Sequence, residues 1–168
     1  EIAERYEVSE DGLTYTFYLR ESLTWHDGQT LTADDVAFTV ALAKNPAIRS
    51  PKLAQWEGIT TEVISDREIK FHLKKPYAPF LGNTTLGVMP KHIWEKIAPD
   101  AFARSKFNTE PIGAGPFQIG TVSKDADNAL VSYNLTRFAG YRPRPAYLKE
   151  INVTFYPSEE KLAAAIQT

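Results

Sequence analysis

Three histidines, one pair of adjacent carboxylates and two closely spaced glycines are the residues here whose type or spacing suggests chemistry. His26, His72 and His92 stand far apart, and no His-x-x-His or His-Glu-x-x-His spacing links any two of them, so they form no metal motif. They read as turn and surface histidines, with His92 in the first turn of a helix opened by Pro90 and His72 on the polar face of a strand. Asp34 and Asp35 could be imagined as a general acid and base. Neighbours at a helix start point in different directions, however, and both already have capping and dipole roles there. Gly113 and Gly115 lack the lysine and the strand-to-helix setting of a phosphate loop, and no serine lies in a Gly-x-Ser-x-Gly turn. There is no cysteine, which removes disulfides, thiolate nucleophiles and thiolate metal ligands together. The expectation is therefore a protein with no catalytic residue, no metal and no cofactor.

Binding is a different matter, because loops can hold a ligand without reacting with it. Between Ala47 and Trp56 the chain leaves a helix through Asn45-Pro46 and carries Arg49, Lys52 and Trp56, a mixture of charge and aromatic surface suited to recognition, and Arg49, Ser50 and Trp56 are its candidate contacts. Arg49 would offer paired donors to a ligand carboxylate. The polar, glycine-flanked run Asn83-Thr84-Thr85-Leu86 is a second candidate. Trp25 and Trp94 are read as core residues, since large aromatics in a domain of this size mostly fill its interior.

The elements that would position these loops follow from periodicity and turn chemistry. Tyr15, Phe17 and Leu19 alternate with polar residues, as in a strand with one buried face, and Asp11-Gly12 marks a hairpin between Ile2 and Arg20. Asp27-Gly28 makes another tight turn. Thr32, three residues before Asp35, predicts a helix cap, and Val36, Ala37, Val40 and Ala41 give an apolar stripe that predicts a helix over 33–44. A second hairpin is expected over 60–74, and short helices after Pro79 and over 91–97. Pro111 to Pro116 is a kinked joint ahead of strands near 117–122 and 129–135. Beyond Pro143 and Pro145, a strand over 151–156 and a helix running from Glu159 unfinished to Thr168 complete the chain. The order predicts an α+β fold of mainly antiparallel hairpins with short helices.

Composition agrees with a folded globular protein of small net charge. The 168 residues are 43% hydrophobic and 24% charged with a formal net charge of −2, and the basic residues are dispersed. No electrostatic footprint for nucleic acid is present, no apolar run is long enough to cross a bilayer, and the first ten residues do not form a signal peptide.

The runs Tyr15-Thr16-Phe17-Tyr18-Leu19-Arg20, Trp25-His26-Asp27-Gly28 and Leu31-Thr32-Ala33-Asp34-Asp35-Val36 resemble the signature of the family 5 extracellular solute-binding proteins. Phe71 to Leu81, Met89-Pro90-Lys91-His92 and Pro111 to Phe117 resemble further stretches of the same family, in the same order. After Asn134 the family usually has a tyrosine-aromatic pair, whereas Arg137-Phe138 stands here. The resemblance implies the receptor of an ABC importer for peptides or similar solutes, whose two lobes close on the ligand without chemistry. It also implies that residues 1–110 form a subdomain of the first lobe and that 111–168 return toward that lobe's main sheet, short of the second lobe. In such receptors the stretch matching residues 82–88 approaches the cleft. The implied partners are a peptide or small-molecule ligand and a membrane permease, the implied state is a monomer, and the implied place is periplasmic or extracellular, with a lipid anchor in single-membrane bacteria. A free-standing interaction or sensor module that kept the fold and lost the ligand is the other reading that these residues leave open.

Overall fold

A computed structural model describes residues 2–141 and 144–166. Pro143 and the end of the last helix at Thr168 lie outside the described residues.

The first hairpin joins β1 (Ala3–Val8) to β2 (Thr14–Leu19). Its turn is held by Gly12 N–H donating to Ser9 O at 2.9 Å, with Gly12 at φ +67 and the Asp11 carboxylate accepting from Leu13 N–H. The second hairpin joins β3 (Thr60–Ser65) to β4 (Glu68–His72), and β4 pairs with β2, so the antiparallel order is β1-β2-β4-β3. Register puts Tyr15 opposite Phe71 and Phe17 opposite Ile69, which stacks the alternating apolar residues on one face. Helix α1 (Ala33–Lys44) covers that face with Ala33, Val40 and Ala43.

Beneath α1 lies an aromatic cluster. Phe80 is completely buried and its ring lies 4.7 Å from Tyr15, 5.6 Å from Phe71 and 6.0 Å from Trp56, centroid to centroid. Contacts of this kind stabilise by area burial and by edge-to-face geometry together. Short helices α2 (Leu53–Trp56), α3 (Phe80–Asn83) and α4 (Lys91–Trp94) deliver Trp56, Phe80 and Trp94 to the interior.

A three-stranded antiparallel sheet follows, β5 (Phe117–Lys124), β6 (Leu130–Arg137) and β7 (Glu150–Thr154) in that order, and then helix α5 (Glu159–Ile166). Ser158 caps α5, its hydroxyl accepting from Lys161 N–H at 3.3 Å. Every residue of α5 is exposed, as are Tyr147, Leu148 and Phe155 beside β7.

The α+β architecture and both hairpins match the sequence reading. Three details differ. Helix α4 stops at Trp94 instead of Ile97, because the following turns tighten to i→i+3 bonds, Ile97 N–H to Trp94 O among them, ahead of Pro99. Helix α2 and the 3-10 turns Pro99–Arg104 and Lys106–Asn108 were not expected, being too short to leave a periodic signal. Strand β7 ends at Thr154 rather than Tyr156, before Pro157.

Candidate functional site

Asp35 is 5% exposed, and its carboxylate accepts three hydrogen bonds: from Thr32 N–H at 2.9 Å, Lys91 N–H at 2.8 Å and the Trp25 indole at 3.4 Å. It thereby ties the start of α1 to the Asp27-Gly28 loop and to the first turn of α4. Thr39, one turn on and equally buried, donates its hydroxyl to Asp35 O at 2.7 Å and accepts Met89 N–H at 2.8 Å. Asp34 instead faces outward and meets Lys91 Nζ at 3.2 Å. The adjacent carboxylates thus diverge, as expected of cap residues.

Each histidine is likewise held by neighbours in the chain. His72 meets Glu62 at 2.9 Å and Thr14 at 3.2 Å, both through side chains. His92 meets Asp27 at 2.7 Å. Burial works against ionisation of Asp27, yet the bonds from His92 and from Gln29 N–H outweigh it and hold the carboxyl below its ordinary value.

His26 performs the most connected structural task. Gly113 N–H donates to its Nδ1 at 3.2 Å, which leaves the proton on Nε2 to donate to Gly115 O at 3.0 Å, and its own N–H donates to Gly113 O at 2.8 Å. Its ring also meets Phe138 edge-on at 4.9 Å. The loop of the first sheet is so clasped to the joint and to the end of β6. A Cβ at Gly113 would come within 3.1 Å of the His26 ring, closer than side chains ordinarily pack. Among the described residues no group of histidines and carboxylates could hold a metal ion.

The candidate binding residues fall into two places. Arg49 is exposed at the end of the 3-10 turn Pro46–Ile48, in left-handed conformation at φ 54, and no ion pair in the described residues includes it. Ser50 is half-buried beside it, its hydroxyl accepting Lys52 N–H at 3.2 Å. Trp56 is 1% exposed and belongs to the aromatic cluster. Asn83 donates to Gln55 O at 2.9 Å and so joins α3 to α2. The hydroxyls of Thr84 and Thr85 bond back to Leu81 O at 2.7 Å and Gly82 O at 2.8 Å. Trp56, Thr84, Thr85 and Leu86 share one feature: they line a groove of about 990 Å³ that also runs along β1, β2 and α1. The groove was not legible in the sequence, because its walls come from segments more than 80 residues apart in number, from Ile2 to Val88 and on to Tyr141.

The model of the bacterial extracellular solute-binding proteins, family 5 Middle, matches residues 1–168. The chain belongs to this family. A dipeptide-binding protein of Escherichia coli K12 is 35% identical over 147 residues, covering 74% of this chain and 27% of its own length. Two solved structures share the fold across 99% of this chain. The oligopeptide-binding protein AppA of Bacillus subtilis, in complex with a nonapeptide, has a TM-score of 0.86 at 26% identity, and this chain covers 33% of it. NikZ of Campylobacter jejuni, in complex with Ni(L-His), has a TM-score of 0.86 at 27% identity, with 32% covered. The chain therefore spans about a third or less of the family relatives it matches. Those relatives are named for the solutes they bind, not for reactions, and the family is extracellular by its description. Among the described residues no helix is long and apolar enough to cross a membrane.

Proposed function

We propose that these residues form part of the ligand-capturing receptor of an ABC importer for peptides or similar small solutes. The observation that carries this reading is the family match over residues 1–168, joined to a fold shared with an oligopeptide-bound receptor at TM-score 0.86. Support also comes from the state of the reactive side chains: His26, His72, His92, Asp34 and Asp35 are all engaged by the chain itself. A receptor of this kind captures solute by closing two lobes around it, so affinity needs both walls and no bond is made or broken.

In this reading residues 1–110 are a subdomain of the first lobe, and 111–168 return to that lobe's main sheet. The protein acts as a monomer outside the cytoplasmic membrane, periplasmic or lipid-anchored, and hands its solute to a membrane permease. Arg49 is the candidate contact with its charge still unspent, and its guanidinium suits a ligand carboxylate.

Calorimetric titration with a mixed di- to pentapeptide library tests the proposal. The longer parent protein is expected to bind near 1 μM, about −8 kcal/mol, and residues 1–168 alone near 1 mM or weaker, about −4 kcal/mol. No peptide binding by the parent overturns the ligand class. Unchanged affinity in Arg49→Ala overturns the contact.

A further inference from the structure

The groove along β1, β2 and α1 is too large for a protein interior, where voids much bigger than a water molecule are few. Its floor consists of core residues, among them Leu31, Val40, Trp56 and Phe71, each less than 5% exposed. A solute with charged ends would need unspent charges in such a place, and the lining does not offer them. Glu4 is paired with Arg67 at 3.5 Å, and Arg5 with Glu7 while it covers the Tyr18 ring. The hydroxyls of Thr39, Thr84 and Thr85 are all bonded to main-chain atoms nearby. Trp56 Nε1 is the buried side-chain polar atom that lacks a partner among the described residues.

A channel of this character fits polypeptide of the same kind that forms its walls. Residues 1–168 span 27% of the Escherichia coli relative and about a third of the solved structures, so most of a family member's chain lies outside them. We infer that the groove is a core position, filled in the longer protein by an apolar segment of the same polypeptide from outside residues 1–168. The first hairpin, α1 and the run 84–88 are then one wall of a core that is closed by chain rather than by ligand. Peptide capture takes place elsewhere on the molecule.

Thiol labelling of the ligand-free parent protein tests this, since residues 1–168 contain no cysteine and introduced ones can be followed singly once any cysteine elsewhere is replaced. Leu86→Cys and Val36→Cys report on the groove, and Glu10→Cys, in the exposed β1–β2 turn, is the reference. Both groove positions are expected to react at least about tenfold more slowly than Glu10→Cys, through local opening alone. Rates equal to the reference overturn the inference. So does protection that arises only on adding the peptide library, which assigns the groove to ligand, or only on raising protein concentration, which assigns it to a second copy. Peptide binding by the parent is read separately by calorimetry, so either proposal can fail alone.

Discussion

The buried carboxylate of Asp35 accepts the main-chain N–H of Lys91, 56 residues further along, at 2.8 Å. One side chain thereby fixes where α1 begins and where α4 docks. Asp35→Ala leaves three donors around it without an acceptor, the N–H groups of Thr32 and Lys91 and the Trp25 indole. The expected loss is about 3–5 kcal/mol, since stranding buried donors costs more than the bonds contribute on average. Asp35→Asn keeps one acceptor oxygen and is expected to lose less. Urea unfolding followed by tryptophan fluorescence measures both, and equal losses would count against the hub.

His26 and Gly113 are expected to be energetically coupled. Gly113→Ala pushes a methyl group against the imidazole, with an ideal Cβ only 3.1 Å from Cε1. In a double-mutant cycle with His26→Ala, the joint loss should fall short of the sum by about 0.5 kcal/mol or more. Strict additivity would mean that the clasp has no energetic weight.

Gly28 stands at φ +85 with open space where a side chain would be, so its glycine is required by backbone conformation alone. Gly28→Val is expected to cost on the order of 1 kcal/mol, and Gly28→Asn less, because asparagine tolerates this region. A urea series that ranks the two the other way round contradicts the assignment.

Phe80→Ala opens a cavity among Tyr15, Trp56 and Phe71. A loss of about 3–5 kcal/mol is expected. Anything under about 1 kcal/mol, read from the denaturation midpoint at unchanged slope, would show that the cluster collapses freely.

Asp27 sets a pH dependence whose sign follows from its lowered ionisation. Burial opposes the charge, but His92 and Gln29 N–H stabilise it more, so the folded state holds the proton less tightly than the unfolded chain. The contribution is present above the ordinary carboxylate value of 3.8 and is lost as pH falls through the lower folded value. Asp27→Asn is therefore expected to melt below the parent at pH 7, and the gap to close in stronger acid. A gap that stays constant across that range would sink the idea.

Much of the fold could be read from residues because the signals are local. Tyr15, Phe17 and Leu19 announce a half-buried strand, and Thr32 with Asp35 announces a helix start at the residue where α1 begins. The site was harder, for a physical reason. Trp56 and Arg49 look alike in sequence as loop residues near a proline, yet a four-residue helix turns Trp56 into the aromatic cluster and leaves Arg49 in solvent. Thr84 and Thr85 look like ligand donors until the tight turns after α3 take up their hydroxyls. Nothing in the spacing of His26 shows that its partners lie 87 and 89 residues away.

The clasp between His26 and the joint grips main-chain atoms only: the N–H and carbonyl of Gly113 and the carbonyl of Gly115. A lock that reads backbone shape is indifferent to most side chains it passes over, provided the glycine beside the ring is kept. The two sheets can then diverge in sequence while their seam stays fixed, apart from Phe138, whose ring meets His26. For protein engineering this makes the stretch from Pro111 to Pro116 a natural splice point, where the first sheet of one family member could be grafted onto the second sheet of another.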